Sequence, residues 1–276
     1  MRETSNPVFR SLPKQQGGYA QFGSGVAGAQ QVAYQTEAYG YPPQTGVSRP
    51  MTIDDVVTKT GITLALLSAV AVVSYFLVSA NIALAMPFTL VGALGGLALV
   101  LIATFGRKQD NPAIVLSYAA LEGLFLGAVS FVIANFTVSG ANAGALIGQA
   151  ILGTVGVFAG MLIVYKTGAI RVTPKFTRML VAGMIGVLVL MLGNLGISIF
   201  GSHDGGPLRN GGPLAIVFSL VCIGLAAFSF LLDFDAADQM IRAGAPEKAA
   251  WGVALGLTVT LVWLYLEILR LLGILN

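Results

Sequence analysis

The chain has 276 residues, of which 56% are hydrophobic and only 10% are charged, with a net charge of +3 and a mean hydropathy of +0.83. A soluble domain carries about 25% charged residues, so this composition excludes an ordinary water-facing surface and predicts an integral membrane protein. The single cysteine, Cys222, excludes an intrachain disulfide framework and a cysteine-rich metal site.

Residues 1–50 are predicted to form a flexible cytoplasmic tail, and residues 51–276 a transmembrane domain. The tail contains stretches such as "QQGGYAQFGSGVAGAQQ", which cannot bury enough apolar surface to offset the entropy of ordering them. It also lacks the apolar core of a cleavable signal peptide. In "MTIDDVVTKTG" a helix is predicted to start, with Thr52 as the N-cap and Asp54 and Asp55 in the first turn.

Seven apolar segments follow, each long enough to cross a hydrocarbon core of about 30 Å. The predicted spans cover residues 60–79, 83–106, 113–136, 144–165, 178–200, 213–235 and 249–274. The expected fold is therefore an all-α, polytopic seven-helix bundle.

The positions of Lys and Arg predict the orientation of the bundle, because cytoplasmic connections are enriched in both. Thirteen of them lie in the tail up to Lys59 and in the second, fourth and sixth connections, whereas the other side carries only Arg209, with Arg270 near the far end. We therefore expect the N-terminus inside and the C-terminus outside. Two glycine pairs four residues apart, Gly123 with Gly127 and Gly156 with Gly160, predict close helix packing.

Acidic residues within the spans are the main functional candidates, because ionisable groups are costly inside a membrane. Glu122 lies about 12 Å into the third span at 1.5 Å per residue. Function is the favoured reading of Glu122, and a structural polar contact is the alternative.

Three aspartates lie at the end of the sixth apolar run, in "FSFLLDFDAADQMI". At 100° per residue Asp233 and Asp235 point in nearly opposite directions, so one of them must face the interior if the other faces water. Asp238 is expected to be hydrated and to pair with Arg242 at i+4. Acids are disfavoured by the dipole at a helix C-terminus, so the cluster indicates function.

Glu267 in the last span has two competing interpretations. It can form an ion pair with Arg270 three residues on, or it can bind a proton or cation in the core. With one histidine and one cysteine the chain lacks the parts of a nucleophilic triad or a His-based metal site. It also lacks a phosphate-binding loop. We therefore expect neither an enzyme nor a nucleic-acid partner.

Three short motifs, together with the seven spans, resemble the Bax inhibitor-1 family, and its bacterial branch in particular. The motifs are "SFLLDFDAADQMI", "YAALEGLFLG" and "LYLEILRLLGIL". The resemblance covers about residues 50–276. It implies a bundle with a central last helix and a pH-sensitive calcium leak in the inner (plasma) membrane. No cofactor is expected apart from Ca²⁺ as a permeant or bound ion.

The resemblance also suggests individual roles. The sixth-helix acid of the family, which follows an aromatic residue, corresponds to Asp235 after Phe234, and the basic residue that latches this acid corresponds to Arg107. The second acid corresponds to Glu267, so that Asp235 and Glu267 would bind Ca²⁺. The family's spacing between the two acids instead leads to Thr260, and Glu122 is then the alternative companion of Asp235.

Two functions from different classes remain open at this point. The first is a passive cation leak controlled by protonation of the intramembrane carboxylates. The second is a non-conducting regulatory protein that binds a membrane partner, such as a quality-control protease, through its Gly- and Tyr-rich tail.

Overall fold

The computed structural model describes residues 49–137, 143–200, 208 and 211–275. Within these ranges it contains seven long helices and no strand. The helices are α1 (Ile53–Ala80), α2 (Ala85–Phe105), α3 (Pro112–Val132), α4 (Ala143–Thr167), α5 (Pro174–Phe200), α6 (Pro213–Arg242) and α7 (Ala250–Leu275). All seven belong to segments long and apolar enough to span a membrane, which confirms the predicted fold class.

The predicted tail lies almost entirely outside the described residues and stays a prediction for residues 1–48. Arg49 and Pro50, which the sequence assigned to it, are bonded to the bundle. The Glu247 amide donates to the Arg49 carbonyl at 3.0 Å, and the Met51 amide donates to the Ala245 carbonyl at 2.8 Å. Met51 is 2% exposed and packs into the largest core cluster. The chain therefore joins the bundle just before α1.

Local chemistry sets where α1 begins and where α6 ends. The Asp55 amide donates to the Thr52 hydroxyl, and the Asp55 carboxylate accepts from the Thr52 amide, which completes a capping box. At the end of α6, Gly244 has φ of +66°, and the Ala245 amide donates to the Met240 carbonyl at 3.0 Å. This left-handed glycine ends the helix and turns the chain towards α7.

Helix α6 continues seven residues beyond the predicted end of its span, as far as Arg242. Two contacts at i+4 support this extra length. The Gln239 amide donates to Asp235 at 2.6 Å, and Arg242 pairs with Asp238 at 2.7 Å, as predicted.

Helix α7 is the centre of the bundle, as expected. It packs against α1, α3, α4 and α6, while α2 packs mainly on α3 and α5 on α6. In its most apolar stretch 61% of the residues are buried, compared with 11% in α4. The end of the bundle at which α1, α3 and α7 begin is called the basic end below. It includes Arg49 and the α2–α3, α4–α5 and α6–α7 connections.

Only one of the two glycine pairs packs as predicted. A Cβ atom on Gly123 would lie 2.6 Å from the Leu67 carbonyl oxygen, and one on Gly127 would collide with the Ala71 carbonyl and Ser74, so both glycines allow α1 to approach α3. At Gly156 and Gly160 no described atom lies within 4 Å of a Cβ position. The prediction for that pair was wrong, because both glycines lie on an open side of α4.

Candidate functional site

A cavity of about 410 Å³, called here the basic-end cavity, lies between the α2–α3 connection, α6 and α7. Its polar lining includes Arg107 and Asp110 at the connection and Asp233 on α6. Asp233 precedes the last residue of α6 by nine positions, which places it about 14 Å deeper along the helix. The cavity therefore joins the aqueous end of the bundle to a carboxylate within the membrane-spanning region.

Asp233 is held by the central helix. The Thr260 hydroxyl donates to its Oδ2 atom at 2.8 Å and also lies 3.2 Å from the Gly256 carbonyl, one turn earlier in α7. Gly256 also lies beside the other carboxylate oxygen, since a Cβ there would be in ordinary van der Waals contact with Oδ1, at 3.9 Å. Carboxylate, hydroxyl and carbonyl oxygens thus converge at the deep end of the cavity.

Arg107 lies on the cavity lining but is not paired with Asp235, the acid that the family resemblance assigned to it. Its φ of +51° is rare for a residue with a side chain, and it follows the last turn of α2. Among the described residues no ion pair joins Arg107 to an acid. Asp235 instead accepts from Gln239 on its own helix. The latch role stays a prediction, and of the α6 acids it is Asp233 that shares a cavity with Arg107.

Two consecutive residues of the α6–α7 connection, Glu247 and Lys248, contact different parts of the basic end. Glu247 accepts from Arg49 Nε at 3.2 Å, and its carbonyl accepts from Lys59 Nζ at 2.7 Å. Lys248 pairs with Asp110 at 2.8 Å and holds the pKa of that carboxyl below its ordinary value of 3.8. These contacts tie the connection to α1 on one side and to the cavity mouth on the other.

Glu122 lies outside the basic-end cavity, in the interface between α3 and α2. It is 9% exposed, and a Cβ on Gly96 would lie 2.6 Å from its Oε2 atom, so this glycine provides the space for the carboxyl group. Glu122 has no hydrogen bond or ion pair to another described residue. An uncompensated buried carboxyl group is costly, so Glu122 remains a functional candidate.

Glu267 forms the predicted ion pair with Arg270, at 3.0 Å, and is 4% exposed. The Arg270 guanidinium also donates to the Ser219 hydroxyl of α6 at 2.9 Å and lies 5.7 Å from the Phe218 ring centre. This network ties α7 to α6 in the half of the bundle away from the basic end.

The structure does not assemble a calcium site from Asp235 and Glu267. Asp235 is seven residues from the basic end of α6, and Glu267 is seventeen residues from that end of α7. The two acids are therefore separated by about 15 Å along the bundle. Across the described ranges no three His, Cys, Asp or Glu residues come together to hold a metal ion.

The sequence contained signals for the pair of Asp233 and Thr260, although the family resemblance assigned the site to Asp235 and Glu267. The family spacing led to Thr260, and the opposite directions of Asp233 and Asp235 required one of them to face inward. Nothing in the sequence indicated the contacts of Glu247 and Lys248, because their partners are up to 198 residues away.

The described residues form seven apolar helices, the last of them central, and carboxyl groups are buried inside the spans. These features define a polytopic α-helical membrane protein that carries ionisable groups in its interior. The profile of the Bax inhibitor 1 like family matches residues 6–276, nearly the whole chain. The chain therefore belongs to this family. A comparison with curated proteins gave no match.

Proposed function

We propose that this protein is a passive leak for cations in the inner (plasma) membrane, with Ca²⁺ as the leading candidate, and that protonation of intramembrane carboxylates controls it. The observation that carries the proposal is the basic-end cavity, which leads to Asp233 and its hydrogen bond with Thr260 on the central helix. A carboxylate inside a span that a cavity connects to the end of the bundle is suited to exchange both protons and cations.

The deep end of the cavity offers the ligand chemistry that a hard cation prefers. Ca²⁺ takes roughly six to eight oxygen ligands, and Asp233, Thr260 and the Gly256 carbonyl would supply part of such a shell, with water completing it. Arg107 at the cavity lining adds a positive charge that opposes cation entry. The leak is therefore expected to be slow rather than freely conducting.

Thr260 can follow the protonation state of Asp233 without losing its hydrogen bonds. When Asp233 is ionised, the Thr260 hydroxyl donates to it at 2.8 Å. When Asp233 is protonated, the acid can donate to the Thr260 oxygen, and the hydroxyl hydrogen can turn to the Gly256 carbonyl at 3.2 Å. A change in pH thus redirects a hydrogen bond on the central helix.

Beyond Asp233 the contact between α6 and α7 is filled by apolar side chains. Phe230, one turn towards the opposite end of α6, and Leu264, one turn beyond Thr260, are fully buried in one core cluster. Apolar constrictions of this kind block ion passage. Conduction therefore requires α6 and α7 to separate at this level.

The test is calcium flux into liposomes that contain the purified full-length chain, measured from pH 5 to pH 8. Asp233→Asn should abolish the pH dependence of the flux. Asp235→Asn is the matched control, since it makes the same chemical change two residues away on the opposite side of α6, and it should keep that dependence.

Three results would count against the proposal. If Asp233→Asn has the flux and pH response of the wild type, the cavity does not contain the controlling acid. If only Asp235→Asn loses the response, the assignment from the family resemblance is the better one. If the wild-type chain passes no cation at any pH, the leak is wrong and the alternative of a regulatory, partner-binding membrane protein gains support.

A further inference from the structure

A second cavity, of about 490 Å³, lies in the half of the bundle away from the basic end. Helices α1 and α4 form its sides, and α3 and α7 form its floor. Although α1 and α4 both pack on the central helix, they leave a gap between them at this level. We call this gap the lateral groove.

The lateral groove faces the hydrocarbon of the bilayer. Four of its lining residues are large apolar side chains on membrane-spanning helices that are between 49% and 66% exposed. They are Val72 and Phe76 on α1 and Ile151 and Val155 on α4. Because a lipid-facing surface continues directly into the groove, bilayer lipid has open access to it.

Water does not suit the groove. Its walls are mainly apolar, and three of the five hydroxyl groups in the lining are already bonded: Ser130 and Tyr265 share a hydrogen bond at 2.8 Å, and the Thr154 hydroxyl donates to the Ala150 carbonyl at 2.8 Å. A buried water needs about two to four polar partners. The other two hydroxyl-bearing residues of the lining are Ser68, at the exposed rim, and the half-buried Tyr75; they lie seven residues apart on α1, about 10 Å along the helix, so one water cannot bond to both.

The size of the groove favours a thin occupant. One turn of a helix, about 10–12 Å wide and about 5.4 Å long, occupies roughly 420–610 Å³. The groove thus has room for about one turn of a partner helix, and most of such a helix would remain outside. An extended hydrocarbon chain can enter along its whole length and restores dispersion contacts that an empty space would forfeit.

We propose that the lateral groove binds one acyl chain of a bilayer lipid, inserted between α1 and α4 against the central helix. The chain would contact Leu261, Val262 and Tyr265 of α7, beginning at the residue after Thr260. This inference does not depend on the proposed leak, because it rests on the shape, lining and lipid exposure of the groove alone.

Fluorescence quenching by phospholipids with brominated acyl chains tests the proposal. The chain has two tryptophans, Trp251 and Trp263, so replacing both with Phe gives a silent background. In this background Leu261→Trp places a reporter on the groove floor, and Leu220→Trp places one on the lipid-facing surface of α6, where Leu220 is 54% exposed. The low-quenching control is a separate Trp263→Phe variant, which keeps native Trp251 as its single tryptophan, near the basic end with its ring 5.7 Å from Lys59 Nζ.

Brominated lipid should reduce the fluorescence of the Leu261→Trp reporter as much as that of the Leu220→Trp reporter. Adding Ser68→Phe, which places a ring at the exposed rim, should protect the Leu261→Trp reporter, whereas Ser68→Ala should not. If Leu261→Trp does not fold, Leu64→Trp on the α1 wall replaces it, with the same expectations. Quenching no stronger than that of Trp251 would overturn the proposal.

A second copy of the chain is the competing occupant, and it has a different signature. If a copy covers the groove, quenching of the reporter will fall as the protein-to-lipid ratio rises. Val72→Cys, combined with Cys222→Ser to remove the native thiol, will then form a disulfide-linked dimer in the membrane. A monomeric Val72→Cys variant together with strong quenching supports the acyl chain.

Discussion

The buried pair of Glu267 and Arg270 gives the sharpest prediction of stability. Glu267→Gln keeps the shape of the side chain but removes its charge. The Arg270 cation then keeps its contacts with the Ser219 hydroxyl at 2.9 Å and the Phe218 ring centre at 5.7 Å but loses its ionic partner. Breaking a buried pair by removing one partner costs about 3–5 kcal/mol. Because the Arg270 side chain is 18% exposed, we expect the lower end of this range.

The expected change is large enough to measure by thermal unfolding in detergent. For a chain of this size about 1 kcal/mol corresponds to roughly 2–4 °C in Tm, so Glu267→Gln should lower Tm by about 6–12 °C. The double variant Glu267→Gln/Arg270→Met should recover much of the loss, because it removes the uncompensated cation.

Glu122→Gln is the matched control for this experiment. It makes the same substitution at another buried acid, but Glu122 has no ion pair among the described residues, so no cation is left behind. We expect its Tm to be unchanged or higher. If Glu267→Gln has the same Tm as the wild type, or if the two variants lower Tm equally, the pair with Arg270 does not stabilise the bundle and the reasoning is wrong.

Three further predictions concern the basic end and the cavity. Because Lys248 lowers the pKa of Asp110, their pair is complete above pH 3.8 and is lost only as the pH falls through the lowered pKa. Lys248→Met should therefore lower the free energy of unfolding by less than about 1 kcal/mol, because both groups are part-exposed. The resulting fall in Tm should be constant from pH 5 to 8 and should vanish in stronger acid. Deleting residues 1–47 should leave Tm unchanged. Deleting residues 1–51 should lower Tm, because this deletion removes Met51 from the core. The same Tm for both truncations would contradict this prediction. In the liposome assay Thr260→Val should move the pH midpoint of calcium flux and Thr260→Ser should not, because only serine keeps the hydroxyl bonded to the acid; identical midpoints would remove Thr260 from the mechanism.

Features that depend on composition and on near neighbours in the chain could be predicted from the sequence. Seven apolar runs required seven helices, since a backbone in hydrocarbon must satisfy its own hydrogen bonds. The start of α1 followed from Thr52 and Asp55, and the pair of Asp238 with Arg242 followed from their spacing on one helix. These contacts lie within a turn or two of the chain and need no tertiary information.

The partner of each inward-facing acid depends on how the helices pack. The sequence showed that Asp233 and Asp235 point in different directions, but the rotation of α6 is set by its packing on α7, and this rotation places Asp233 in the cavity with Thr260. The contacts of Glu247 and Lys248 join segments far apart in the chain. Helical periodicity fixes the angle between residues on one helix, but it does not fix the direction in which that helix faces its neighbours.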